Sequence, residues 1–380
     1  MITLRRITST GSFIPQIDGL RFIAVVSVVL LHLYASLSHN GAVPSPFAHS
    51  AHNTFLGKQG VELFFVISGF ILGLPFAKRH ISNAVPIKLQ DYFLRRVTRL
   101  EPPYIVNLFV CLALLLLGHQ PALSDVAPHL LLSAVYLHHL VYNADSIING
   151  VTWSLEVEVQ FYGLAPLLSL LFAIRAPWMR RAVLTSCVVF SSVLSAPLAG
   201  TRFQASILYY LPFFLAGFVV VDLYLATATM SADHRNMVWD GCSVVGWPIV
   251  WMLHPKIAHL LLPFLFVLLI LAAFRGRVVS RCLSSRWVTD VGGMCYTIYL
   301  YHFVLISVCG RLTKPLHIGS SFMAYFALQM LLILPVVLIV CTILYLLVER
   351  PCMDRNWPWK LAARLRRDAA TLHSPPALPD

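Results

Sequence analysis

Ten runs of apolar residues, near 19–38, 60–77, 103–118, 155–174, 182–198, 204–225, 238–253, 257–274, 292–309 and 322–348, are each long enough to approach a crossing of about 30 Å of hydrocarbon. That repetition settles the fold class before any motif does. In lipid every backbone N–H and C=O must find a partner within its own segment, so consecutive apolar runs of this length imply helices. The expected architecture is therefore all-α, a polytopic membrane bundle of about ten transmembrane helices. Charged residues make up only 12% of the 380-residue chain, about half the share of a soluble domain.

The net charge of +12 does not point to nucleic acid. Basic residues gather in short strips beside the apolar runs, at Lys78–Arg99, Arg175–Arg181, Arg275–Arg286 and Arg350–Arg367, which is how cytoplasmic loops are marked. No basic face interleaved with aromatics lies outside those strips. Placing all four strips inside puts both termini in the cytoplasm. It also requires an even number of crossings between Arg99 and Arg175, which the runs at 103–118 and 155–174 already supply. The weaker run Leu130–Tyr142, with His138 and His139, is then a re-entrant or interfacial segment on the outer side. Three parts follow: a cytoplasmic segment at 1–16, a transmembrane domain at 17–350 and a basic tail at 351–380. In the tail, Trp357–Arg367 is expected on the inner leaflet and 375–380 is expected to be disordered. The first apolar run ends without a small-residue cleavage site and reads as a retained span.

The eight cysteines form no CxxC, so neither a disulfide framework nor a zinc site is indicated. His39, His49, His52, His138 and His139 match no standard metal spacing, and no metal site is expected. Neither GxSxG nor HExxH occurs.

Ionisable residues inside the apolar runs are the functional candidates, because burying them in lipid is costly. Arg21 opens the first run and His32 lies within it, about 16 Å further along one helix. Arg96 and Arg99 share a helix face just before Pro102-Pro103, whose tandem prolines suit a helix start. Arginine forks suit phosphate. Trp153-Ser154-Leu155-Glu156-Val157-Glu158-Val159-Gln160-Phe161-Tyr162 opens the fourth long run, and glutamates two apart cannot share a face. One of Glu156 and Glu158 therefore looks into the protein while the other caps a helix or meets water. Tyr299 and His302 lie three apart on one face of the ninth run. Ser68-Gly69 reads as a small-residue notch for helix packing. Such His, Glu and Arg sets also build proton relays, so a transporter of a glycan or of a proton-coupled substrate is the competing class, although no inverted repeat is visible.

Taken together, Ile17-Asp18-Gly19-Leu20-Arg21 with His32, Gly60-Val61-Glu62 through Ser68-Gly69-Phe70, Arg96 with Arg99, Trp153–Tyr162, Tyr296–His302 and Val348-Glu349-Arg350-Pro351 resemble the membrane-bound acyltransferase-3 family, the O-antigen and exopolysaccharide O-acetylase-like proteins. The resemblance runs from residue 17 to residue 351. It implies a ten-span enzyme of the bacterial inner membrane that moves an acyl group, usually acetyl from acetyl-CoA, onto a hydroxyl of a glycan or lipid-linked sugar, or onto a small molecule such as a macrolide. Acyl-CoA is then a co-substrate, with no tightly bound cofactor. The resemblance implies roles for Arg21 and His32, for the Arg96 and Arg99 pair, and for Glu158. The chain departs from the family pattern at Glu62, Glu156 and Val159, and has no counterpart of the soluble hydrolase-like domain some relatives carry.

Joined to the spacing, this gives a set of expectations. Arg21, Arg96 and Arg99 hold the CoA phosphates and His32 is the general base. Glu158 orients His32 or binds acceptor hydroxyls. Tyr299, His302, Trp153 and Glu156 contact the acceptor, with Tyr299 and His302 also candidates for the oxyanion.

Overall fold

The computed structural model describes residues 4–6, 13–44, 58–119, 122–227, 235–354 and 356–360. Among these the chain is helical, with no β-strand beyond one isolated bridge between Asn236 and Gly276. Helices α1 (Pro15–Asn40), α2 (Lys58–Ser82) and α3 (Leu89–His119) come first. Two short helices follow, α4 (Leu123–Ala134) and α5 (His138–Tyr142), then α6 (Trp153–Leu168), α7 (Pro177–Ser195) and α8 (Ile207–Thr227). The second half holds α9 (Met237–Met252), α10 (Pro255–Arg275), the short α11 (Val278–Leu283) and α12 (Arg286–Gly293), α13 (Cys295–Thr313) and α14 (Phe322–Leu344). His49, His52 and the tail beyond Lys360 lie outside the described residues.

Nine helices among the described residues are long and apolar enough to cross a membrane. The tenth expected run forms α9, whose 16 residues extend about 24 Å. Its length is set at both ends. Asn236 caps the start by accepting from Trp239 N, and Pro255 begins the next helix three residues after the end. The start of α9 meets the end of α10, where Asn236 N donates to the Arg275 carbonyl and the Asp240 carboxylate accepts from the amides of Arg277, Val278 and Val279. The two helices thus form an antiparallel hairpin.

The tandem prolines do not start a helix. α3 begins at Leu89 and runs through Pro102 and Pro103. Proline lacks the N–H that would bond the carbonyl four residues back, and one carbonyl so released, that of Thr98, accepts from the Trp357 indole at 2.9 Å.

α2 is the central helix and packs most extensively on α8. The approach is so close that a Cβ at Gly69 would lie 2.1 Å from the Phe214 carbonyl oxygen, and one at Gly217 would lie 2.3 Å from that of Val66. Glycine is required at this crossing for want of room. Gly69 therefore has the packing role its sequence suggests, while its neighbour Ser68 does something else.

The segment between α3 and α6 enters the bundle. Tyr104, near the middle of α3, donates to the Ser133 carbonyl at 2.8 Å and stacks on Tyr136, which has φ 59°. Beyond α5, the buried Asn149 donates at 2.9 Å to both Asn107 Oδ1 of α3 and the Leu300 carbonyl of α13, which Asn107 Nδ2 also reaches. With α4 at 12 residues and α5 at 5, neither crosses. Irregular chain at such depth is tolerated where protein covers its polar groups, and these bonds supply the cover. Asn149→Ala leaves Asn107 Oδ1 buried without this donor. The expected cost is about 1–3 kcal/mol, read as a lower midpoint of thermal unfolding in detergent.

Candidate functional site

A cavity of about 370 Å³ opens among the arginine-bearing ends of the helices and runs inward between α1, α2, α3, α6 and α13. At its mouth stands Asp18, 1% exposed, one turn before Arg21 on α1. Asp18 Oδ1 accepts from Arg21 Nη1 at 2.6 Å and lies 3.7 Å from Arg6 Nε. One buried carboxylate thus faces two guanidinium groups, and both arginines line the cavity. Burial first, then the charge of Arg21, pulls the Arg6 guanidinium below its ordinary value, against the opposing pull of Asp18.

Arg96 and Arg99, three apart on α3, line the same mouth. Arg96 donates to the Tyr92 carbonyl at 3.1 Å and lies 4.1 Å above the Tyr92 ring, which holds the guanidinium by its face. Arg99 Nε is buried without a hydrogen-bond partner. With Arg95, which also lines the cavity, five guanidinium groups against one carboxylate make this end an anion site.

The far end is built by α6. Glu158 lines the cavity and accepts from Ser68 Oγ at 2.8 Å, with Tyr162 also within hydrogen-bonding reach. Two residues earlier, Glu156 faces the other way. It is 2% exposed, and its two oxygens lie 3.0 and 3.1 Å from the amide of His139 at the start of α5. The period of the helix separates the two acids as expected, and the structure assigns Glu158 to the cavity and Glu156 to capping α5. Glu156 and Trp153, expected on the acceptor, do not line this cavity. The Trp153 ring packs 5.6 Å from that of Tyr210. Glu62, 6% exposed, does not line it either.

Tyr299 closes the same end. Its hydroxyl donates to the Val151 carbonyl and receives the Ser154 hydroxyl at 2.6 Å. That commitment removes Tyr299 as a donor to an oxyanion in this conformation. Its ring lies 6.4 Å from that of Phe64, which also lines the cavity, and 5.9 Å from the ring of His302.

His32 and His302 lie beyond Tyr299 and do not line the cavity. His302 is fully buried and His32 half-buried, and their rings are 5.0 Å apart, with His302 Nε2 3.0 Å from His32 Nδ1. The expected pairing of Glu158 with His32 is not what the fold makes. Glu158 bonds Ser68 of α2, whereas His32 of α1 meets His302 of α13. The charge of Asp145, in the loop before α6, reaches both His32 and Tyr299. Its side chain is 65% exposed and lies 3.6 Å from His139 Nδ1.

Several residues that build this region were not singled out by spacing. Asp18 stands three before Arg21, the spacing of an ion pair on one helix face, and was legible in principle. Ser68 was visible but read as packing. Arg6 gave no signal, because a segment outside any apolar run brings it to Asp18. Glu349 of the Val-Glu-Arg-Pro motif accepts from Thr297 N at 3.1 Å and Thr297 Oγ1 at 2.5 Å, placing a carboxylate at the start of α13.

The family model described as an acyltransferase domain matches residues 14–346. Among curated proteins, a putative peptidoglycan O-acetyltransferase of Bacillus subtilis is 26% identical over 53% of this chain and 31% of its own length. The peptidoglycan O-acetyltransferase of Listeria monocytogenes is 27% identical over 48% of this chain and 28% of its own. A putative O-acetyltransferase of Staphylococcus aureus is 30% identical over 43% and 26%. The matches thus cover less than a third of each of these relatives. No solved structure matches the chain.

The division of labour on α6 gives a direct expectation. Glu156→Ala removes the cap of α5 and lowers thermal stability by about 1–3 kcal/mol in detergent. Glu158→Gln keeps an acceptor for Ser68 and leaves the unfolding midpoint close to that of the wild type.

Proposed function

Because the chain belongs to the acyltransferase-3 family, we propose that it is a membrane O-acyltransferase moving an acyl group, acetyl in the first instance, from acyl-CoA to a hydroxyl of a cell-surface glycan. The observation that carries this reading is a cavity with clustered guanidinium groups at one end and a carboxylate and two hydroxyls at the other, with an imidazole pair beyond that end. The names of the relatives favour peptidoglycan as the glycan.

Each end has its chemistry. Arg96, Arg99, Arg6 and the part of Arg21 not held by Asp18 bind the phosphates of CoA, presented from the cytoplasmic side of a bacterial inner membrane. The pantetheine arm lies along the cavity and brings the thioester toward Ser154, Glu158 and Tyr299. The acceptor hydroxyl comes from the side of Asp145 to His32. Tyr299 lines the cavity and neighbours His302, so transfer requires its ring to move aside. The hydroxyl oxygen then attacks the thioester carbon as His32 takes its proton. The C–S bond breaks, an ester C–O bond remains, and the thiolate of CoA recovers the proton.

The test uses purified full-length protein with radiolabelled acetyl-CoA and soluble peptidoglycan fragments. His32→Ala is expected to lower transfer by about 10²- to 10⁴-fold while the protein still binds CoA. Arg96→Ala is expected to raise KM for acetyl-CoA about 10-fold, the worth of a charge-assisted bond, with kcat little changed. Glycan movement without release of free CoA would replace this reading with transport.

A further inference from the structure

His302 is fully buried, touches His32 and has no task in the reaction as written. The hydrogen-bond geometry gives it one. His302 Nδ1 lies 3.0 Å from the Ile298 carbonyl oxygen and 2.8 Å from that of Tyr299. Carbonyl oxygens only accept, so Nδ1 carries the hydrogen, and in the neutral ring Nε2 keeps its lone pair. That Nε2 lies 3.0 Å from His32 Nδ1, which is also 2.9 Å from the Val28 carbonyl oxygen. Both neighbours of His32 Nδ1 are acceptors, so His32 Nδ1 donates and its lone pair is confined to Nε2.

We propose that His302 is a positioning residue: by accepting from His32 Nδ1 it holds His32 in the tautomer whose Nε2 takes the proton of the acceptor hydroxyl. The inference rests on the reading of His32 as the base.

The Val28 carbonyl alone does not do this work. It lies one turn back on the same helix, where it is also placed to accept the backbone amide of His32, and it restrains the ring only relative to α1. His302 ties the ring to α13, and the edge of Phe303 at 5.4 Å limits its rotation. During transfer the hydroxyl proton moves to His32 Nε2, the ester C–O bond forms and the C–S bond to CoA breaks. While His32 carries that proton, its Nδ1–H points at an imidazole lone pair that no other described residue uses. In Ser-His-Asp enzymes a buried carboxylate fills this place. Here an uncharged ring fills it, so no additional anion has to be buried at this depth of the apolar slab.

Two variants of similar length separate the acceptor from the packing. His302→Gln presents an amide oxygen near the position of Nε2, and His302→Met fills the space with no comparable acceptor. Full-length protein is assayed with acetyl-CoA and soluble peptidoglycan fragments, beside His32→Ala and with thermal unfolding of each variant. His302→Met is expected to lower kcat by about 10- to 100-fold, the usual effect of losing a group that orients a histidine, with KM for acetyl-CoA unchanged. His302→Gln is expected to recover most of that loss. Should His302→Met unfold, His302→Leu takes its place in the comparison. Wild-type turnover in the acceptor-less variant, or equal loss in the Gln and Met variants, overturns the role of His302; with His32→Ala inactive, the acyltransferase reading stands. Turnover by His32→Ala, or no acetyl transfer by the wild type, removes the reading and this inference with it.

Discussion

A carboxylate with almost no access to solvent, Asp18, is shared by Arg21 and Arg6 at the start of α1. A buried charge is stable only when paired, and removing one partner of such a pair typically costs several kcal/mol. The pairing therefore holds the first turns of α1 and Arg6 together at the mouth of the cavity. Arg21 is held with its remaining N–H groups toward the cavity, and His32, eleven residues on along the same rigid helix, is set at about 16 Å from it. The ion pair also draws in Arg6 from outside the bundle, which gives the mouth more positive charge than the motif residues alone provide.

The same demand, that no polar group in an apolar surrounding be left alone, recurs around the cavity. The Thr98 carbonyl, released by a proline, takes the Trp357 indole. The Leu100 carbonyl takes the Tyr296 hydroxyl at 2.9 Å. Asn107 and Asn149 converge on Leu300, and Glu349 meets the start of α13 at Thr297. These bonds join α3, α13 and the re-entrant segment, the elements that wall the cavity and carry the histidine pair. The polar groups that let the chain enter the bundle are the ones that position its site.

Two compartments result. Guanidinium groups gather at one end, two imidazoles lie beyond the other, and the ring of Tyr299 stands where they meet. The proposed transfer, from a thioester on one side of the membrane to an alcohol on the other, calls for such a division, because an open passage would let water reach the thioester.

The amino-acid sequence by itself determined the class of fold and which positions share a helix. Apolar run length and the 3.6-residue period are local properties that no packing alters. So Arg96 with Arg99, Tyr299 with His302, and the divergence of Glu156 from Glu158 were legible, as was the inability of the 130–142 run to cross. Tertiary structure alone decided who meets whom between helices: Arg6 at Asp18, Ser68 at Glu158, Glu156 at the amide of His139, and His32 at His302. It also carried α3 through its prolines. The reason is physical. A partner on another helix depends on the rotation and depth of both, which are set by the summed packing of the bundle and by close crossings such as Gly69 on Gly217, and no local pattern records that sum.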